Sequence, residues 1–135
     1  MTGAAVALAA FAAALSGCGG SAGELITIST HGGGAPDHRV VVTGDGRGSC
    51  DGGKERVLPS DHVLDAREVE RELGTPAKKR ASYGNGPKGA RTYVASTKDG
   101  IVTWVEGARG APPVVAKGTL LVLELKRDTC PPGTS

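Results

Sequence analysis

Thr92-Tyr93-Val94-Ala95-Ser96-Thr97-Lys98-Asp99-Gly100-Ile101-Val102-Thr103-Trp104-Val105 carries the strongest β signal in the chain. Two runs rich in β-branched and aromatic residues flank Lys98-Asp99-Gly100. Asp-Gly at the centre of a two-residue loop favours a type I′ turn, because both residues tolerate positive φ. That register pairs Ala95 with Trp104 and Val94 with Val105. Side chains alternate between faces along a strand, so Tyr93, Ala95, Val102 and Trp104 share one apolar face. A helix is expected to cover it.

The one clear helical pattern lies upstream. Pro59-Ser60-Asp61 opens it, with Ser60 as the expected N-cap and Asp61 near the positive end of the helix dipole. Val63, Ala66, Val69 and Leu73 recur at the helical period, while Arg67–Glu70 and Glu68–Arg71 form i,i+3 pairs on other faces. Gly74 and Pro76 are expected to stop the helix, and residues 75–90 to form a long loop. Residues 24–30 and 39–43 read as two strands joined by a Gly-rich loop, and residues 44–53 as a second such loop. The near-continuous apolar run at 119–125, within 114–126, reads as a last, central strand buried on both faces. The order β-β-α-β-β-β predicts an α+β domain, with one amphipathic helix on a small, mostly antiparallel sheet of about five strands.

The opening of the chain has a different character. Residues 4–15 are apolar without interruption and end in Leu15-Ser16-Gly17-Cys18, followed by Gly19-Gly20-Ser21-Ala22-Gly23. The apolar run is shorter than the roughly 20 residues that span a bilayer core, and it suits the apolar region of an export signal. Leu15-Ser16-Gly17-Cys18 resembles the lipobox of bacterial lipoproteins. The resemblance implies that Cys18 Sγ takes a diacylglyceryl group and that cleavage follows Gly17. Met1-Thr2-Gly3 departs from the pattern in having no Lys or Arg. The Ala-x-Ala steps in Ala12-Ala13-Ala14 would also suit an ordinary signal peptidase, which would leave a secreted protein. The expected organisation is a signal peptide over 1–17, a flexible tether over 18–23, a domain over 24–130 and a frayed tail over 131–135. Two acyl chains make a lasting anchor, so the domain would sit on the outer face of the cell membrane.

With Cys18 lipidated, Cys50 and Cys130 are left to form one disulfide, as an exported chain permits. It would close a loop of roughly 80 residues and stabilise by about 4–5 kcal/mol in the chain-entropy model. The composition makes such a staple useful. The chain holds 22 Gly, one Trp, two Tyr and one Phe, and Phe11 belongs to the signal, so the core rests on aliphatic residues and Trp104. The formal net charge of +2 gives no strong nucleic-acid field.

Chemistry-bearing patterns are sparse. His31-Gly32-Gly33-Gly34 matches an oxyanion-loop motif, but no Gly-x-Ser-x-Gly elbow accompanies it. Gly44-Asp45-Gly46-Arg47-Gly48 lacks the Lys-Ser/Thr ending of a phosphate loop. Asp45 and Asp51 form a candidate acid pair. His31 and His38, with Asp37 and His62, are weak candidate metal ligands, without any established ligand spacing. Lys78-Lys79-Arg80, with Tyr83, Lys88 and Arg91, forms a basic patch suited to weak contact with an anionic surface. No cofactor and no catalytic residue is implied. The expectation is a non-enzymatic, lipid-anchored domain that binds or assists an envelope protein or peptide. The alternative is a small secreted inhibitor or peptide-binding module. The layout loosely resembles subtilisin-inhibitor-like proteins, with residues 75–90 as the candidate reactive loop but without their second disulfide.

Overall fold

The computed structural model describes residues 23–132. The expected signal peptide, the lipidation of Cys18, most of the tether and the end of the tail lie outside these residues. In chain order the elements are β1 (Glu24–His31), β2 (His38–Thr43), β3 (Arg47–Cys50), β4 (Arg56–Val57), α1 (Ser60–Glu72), α2 (Gly74–Lys78), β5 (Ser82–Tyr83), β6 (Thr92–Thr97), β7 (Gly100–Val105) and α3 (Pro113–Thr129). The strands form one seven-stranded sheet in the order β4-β3-β2-β1-β6-β7-β5. All neighbours are antiparallel except β5 and β7. The α+β class is as expected; the strand and helix counts are larger.

The core lies between one sheet face and the helices. Ile26, Ile28, Val40, Val42, Tyr93, Ala95, Val102 and Trp104 meet Ala66, Val69 and Leu73 of α1, Ala77 of α2, and Val114, Val115, Leu121, Val122 and Leu125 of α3. Tyr93, Ala95, Val102 and Trp104 share the buried face, as the alternation predicts. The hairpin register differs from the expected one. Thr97 pairs with Gly100, Ala95 with Val102 and Tyr93 with Trp104, so Lys98-Asp99 forms the turn. Each β6 residue meets a partner two positions earlier on β7. An even shift leaves every side chain on its face, which is why the face survived the change. Gly100 is used for a close approach rather than for the turn centre. Its φ is +138°, and a Cβ there would lie 2.4 Å from the Ala77 carbonyl oxygen of α2.

The largest departure is residues 114–126, which form α3 and not a central strand. An apolar run cannot by itself separate a buried strand from a buried helix. Burial at Val114, Val115, Gly118, Leu121, Val122, Leu125 and Thr129 follows the helical period, while Leu120 and Leu123 face outward. Pro113 sits in the first turn, where its missing N–H costs no hydrogen bond. Gly118 lets the helix settle on Trp104, since a Cβ there would stand 3.0 Å from Trp104 Cη2 and Cζ2. The indole Nε1–H donates to Thr119 Oγ1 at 3.0 Å, and the ring stacks on Tyr93 with centroids 5.4 Å apart.

Three other expectations change. Residues 44–53 contain β3 and run on toward β4, so they are not only a loop. Gly48 lies within β3, where a Cβ would come within 3.0 Å of Leu58 and Thr129 side chains. A strand with a glycine at its packed position leaves no apolar alternation to read. Ser60 is not the N-cap of α1: Pro59 holds that position, without a side-chain cap. Residues 75–90 are not one long loop. After α1 ends at Leu73 the chain turns directly into α2, then pairs β5 with β7. The charged residues of α1 also find tertiary partners. Glu68 meets Lys117 of α3, Arg67 donates to the Gly44 carbonyl, and Glu70 lies 4.0 Å from Lys98.

Cys50 and Cys130 are joined, with their Cα atoms 5.0 Å apart and a separation of 80 positions in sequence. The bond ties the C-terminal end of α3 to β3. Reduction should lower the thermal midpoint by more than about 10 °C, because loop closure of this length stabilises by about 4–5 kcal/mol; an unchanged midpoint in reductant would remove the staple from the stability account. Gly100→Ala should destabilise by at least about 2 kcal/mol in urea titration, through positive φ and the Ala77 approach. Gly84→Ala, in open space, should change stability by less than about 0.5 kcal/mol.

Candidate functional site

Among the described residues, two places bring chemistry-bearing side chains together. The first is the end of the sheet where β2 and β3 meet the close of α3. His38 opens β2 and is buried, at 5% exposure. Its Nδ1 lies 2.8 Å from Asp51 Oδ2 and 4.0 Å from Cys50 Sγ. Asp51 follows β3 with φ +52° and is held by its backbone: its N–H donates to the Arg39 carbonyl, and its Oδ1 accepts the Arg39 N–H at 2.7 Å. Thr30 pairs with His38 across the β1–β2 ladder and accepts the His38 N–H at 3.3 Å. Arg91 Nη2 donates to Thr30 Oγ1 at 2.8 Å and to the Pro36 carbonyl at 2.9 Å.

The charged groups of this cluster act on one another. Partial burial works to raise the Asp51 carboxyl, but the hydrogen bonds from His38 and the Arg39 amide, with the charges of His38 and Lys126, hold it below the usual carboxylate range. Burial and the nearby Arg91 guanidinium push the Lys126 ammonium down, against the pull of Asp51.

This geometry sorts the residues singled out from sequence. His31 and His38 do not converge. Thr30 faces His38 across the ladder, so His31 falls on the opposite sheet face, where its Nδ1 lies 3.3 Å from Asp37. That contact holds the Asp37 carboxyl below its ordinary value. Gly32, Gly33 and Gly34 all have positive φ and serve the turn between β1 and β2. Asp45 contacts Thr43 and Arg47 at the other end of β2 from Asp51, so the two acids form no pair. In the basic patch, Lys78, Lys79 and Arg80 are exposed at the end of α2, whereas Arg91 is turned inward to Thr30 and Tyr83 packs against the core. The sequence does not reveal the partnership of His38, Asp51 and the two cysteines, because β3 reads as loop. His38 alternates with Val40 and Val42 on one face, and that was its available signal.

The second place is the seam between α1 and α3. A shallow groove of about 240 Å³ is lined by Asp65, Glu68, Val69, Lys117, Leu120, Leu121 and Glu124. Leu120 is 63% exposed there. Lys117 Nζ bridges Glu68 and Glu72 at 3.1 Å each. Further along the seam, His62 Nδ1 of α1 meets Asp128 Oδ2 of α3 at 2.5 Å, and its Nε2 lies 3.8 Å from Glu124 and 3.9 Å from Asp61.

The Asp128 hydrogen bond raises the His62 pKa above its ordinary value; burial opposes this, and the charges of Asp128, Asp61 and Glu124 add to it. A folded-state pKa above the unfolded value of about 6.5 favours the folded state in the protonated form. That contribution is whole below about pH 6.5 and disappears as pH rises through the raised folded value. His62→Gln should therefore cost most stability near pH 5.5 or about one unit below the unfolded value, and least in mildly alkaline buffer. Urea midpoints of both proteins across that range check this, and a difference independent of pH would show that the α1–α3 clamp does not work through charge.

No protein-family model, no curated protein and no solved structure matches this chain, so the functional reading rests on its own geometry.

Proposed function

We propose that this protein is a lipid-anchored, non-enzymatic binding domain on the outer face of the cell membrane, and that the α1–α3 groove receives a basic amphipathic peptide segment of an envelope protein. The observation that carries the reading is the groove itself. Leu120 stands exposed over a floor of Val69 and Leu121, and three carboxylates face one ammonium around it. An apolar contact ringed by acid groups suits a segment with leucine-like side chains between lysines or arginines. The carboxylates of Glu68 and Glu72 share Lys117, which leaves Asp65 and Glu124 as the net acidic rim.

The cellular placement rests on two supports. Leu15-Ser16-Gly17-Cys18 has the lipobox pattern, and the Cys50–Cys130 bond suits an oxidising compartment. No helix among the described residues is long and apolar enough to cross a membrane. The short tether would hold the groove close to the membrane, and Lys78, Lys79 and Arg80 would add weak attraction to anionic head groups. In the inhibitor alternative, the candidate loop 75–90 is partly α2 and β5, and residues 84–90 stay outside helix and strand.

Two measurements check the proposal. Intact mass of the membrane-fraction protein should give a chain that begins at Cys18 with added acyl mass, absent in Cys18→Ala. An unlipidated mature chain would refute the anchor. In fluorescence anisotropy, an amphipathic lysine–leucine peptide should bind the protein, and Leu120→Ser or Asp65→Lys should each weaken it about tenfold, or about 1.4 kcal/mol. Equal binding by both variants would exclude the groove.

A further inference from the structure

The Cys50–Cys130 bond lies against a buried imidazole and a carboxylate, and this arrangement exceeds what a structural staple needs. A ring nitrogen of His38, Cys50 Sγ and Cys130 Sγ all lie within 4.8 Å of one another. Cys50 Sγ is 4.0 Å from His38 Nδ1 and 3.6 Å from Asp51 Oδ2. A tetrahedral zinc ion with two thiolates and an imidazole, at about 2.3 Å from sulfur and about 2.0 Å from nitrogen, separates its ligand atoms by about 3.5–3.8 Å. We infer that, with the disulfide reduced, His38, Cys50 and Cys130 form a site for a thiophilic divalent cation of the zinc class, with Asp51 or water in the fourth position.

The site is assembled from independent parts of the fold. His38 comes from the start of β2, Cys50 from the end of β3, and Cys130 from the close of α3. The Val40–Cys50 pairing of β2 and β3 sets the imidazole beside the first sulfur. The fold, and not the bond alone, therefore positions two of the three ligands. His38 and Cys50 are buried and Asp51 is exposed, so the carboxylate marks the solvent side through which an ion would enter. Two thiolates and one carboxylate bring one negative charge more than a dication neutralises. The Lys126 ammonium, close enough to Asp51 to act on it, offsets that excess.

The chemistry balances with a dithiol as reductant. The dithiol gives two electrons and two protons to the Cys50–Cys130 bond and closes its own disulfide. Cys50 and Cys130 become thiols. Metal binding then releases both thiol protons, and the imidazole proton moves from Nδ1 to Nε2, so that a nitrogen–metal bond replaces the His38–Asp51 hydrogen bond. The same two sulfurs serve as a covalent staple when oxidised and as a metal clip when reduced. This inference is independent of the peptide-binding groove, which lies along α1 and α3.

The test uses the full chain carrying Cys18→Ala, so that Cys50 and Cys130 are the remaining thiols, reduced with a phosphine that does not itself bind as a thiol. Cobalt(II) is the probe. One equivalent should produce thiolate-to-cobalt charge-transfer absorption and tetrahedral ligand-field bands, both displaced by zinc(II), and the oxidised protein should show neither. Zinc(II) should also restore part of the thermal midpoint lost on reduction. His38→Ala should weaken binding at least about tenfold, whereas His31→Ala and His62→Ala should leave it unchanged. Histidine nitrogen NMR of the reduced protein without histidine substitutions gives a second readout, in which the His38 Nδ1 resonance should shift on adding zinc(II). Absence of the charge-transfer band, a metal shared between two chains, or an unmoved His38 resonance with metal bound would overturn the site.

Discussion

Trp104 packed on Gly118 decides where the helices of this domain lie. The indole is wholly buried, stacks on Tyr93 within the sheet, and donates its N–H to Thr119 on α3. A stacked aromatic pair adds about 0.5–1.5 kcal/mol beyond its buried area. Its larger effect is geometric. A Cβ at position 118 would stand 3.0 Å from the ring, so glycine there lets α3 settle closely on the sheet at that turn. With α3 seated there, Leu121, Val122 and Leu125 fall over the sheet, and Val69 of α1 closes against the same turn.

From that seat the helix reaches Cys130, and the disulfide fixes its far end to β3. Gly48 makes the approach feasible by leaving room for Leu58 and Thr129. The contact at this end is polar rather than apolar. His38, Asp51, Thr30 and Arg91 form a connected network in which each buried donor has an acceptor, and no buried side-chain polar atom among the described residues lacks a partner. A buried imidazole next to a disulfide is costly unless it is so satisfied. The network therefore holds the cysteines in place and is held by them.

The opposite side of the same helix pair carries different physics. The α1–α3 seam combines an exposed leucine with charged residues that bridge the helices through Lys117 and His62. The exposed Lys117 bridges contribute little stability each, about 0–1 kcal/mol. Their residue types matter more for what the seam can receive. The seam thus presents an acidic, partly apolar groove, while the two cysteine sulfurs lie at the end of the sheet.

The residues alone were enough for the α+β class, the β1, β2, β6 and β7 strands, α1, the shared face of Tyr93, Ala95, Val102 and Trp104, and the pairing of Cys50 with Cys130. The elements and the shared face rest on local periods carried by neighbouring residues, and the cysteine pairing rests on setting Cys18 aside by its lipobox resemblance. The helical state of residues 114–126 was settled by tertiary packing, because an apolar run satisfies a buried strand and a buried helix equally until something covers it. The hairpin register goes with the approach of Ala77 to Gly100, and β3 with that of Leu58 and Thr129 to Gly48, both between residues distant in sequence. The gathering of His38, Asp51, Cys50 and Cys130 is of the same kind. Its members lie on three elements, and only the pairing of β2 with β3 and the seating of α3 on Trp104 bring them within bonding reach.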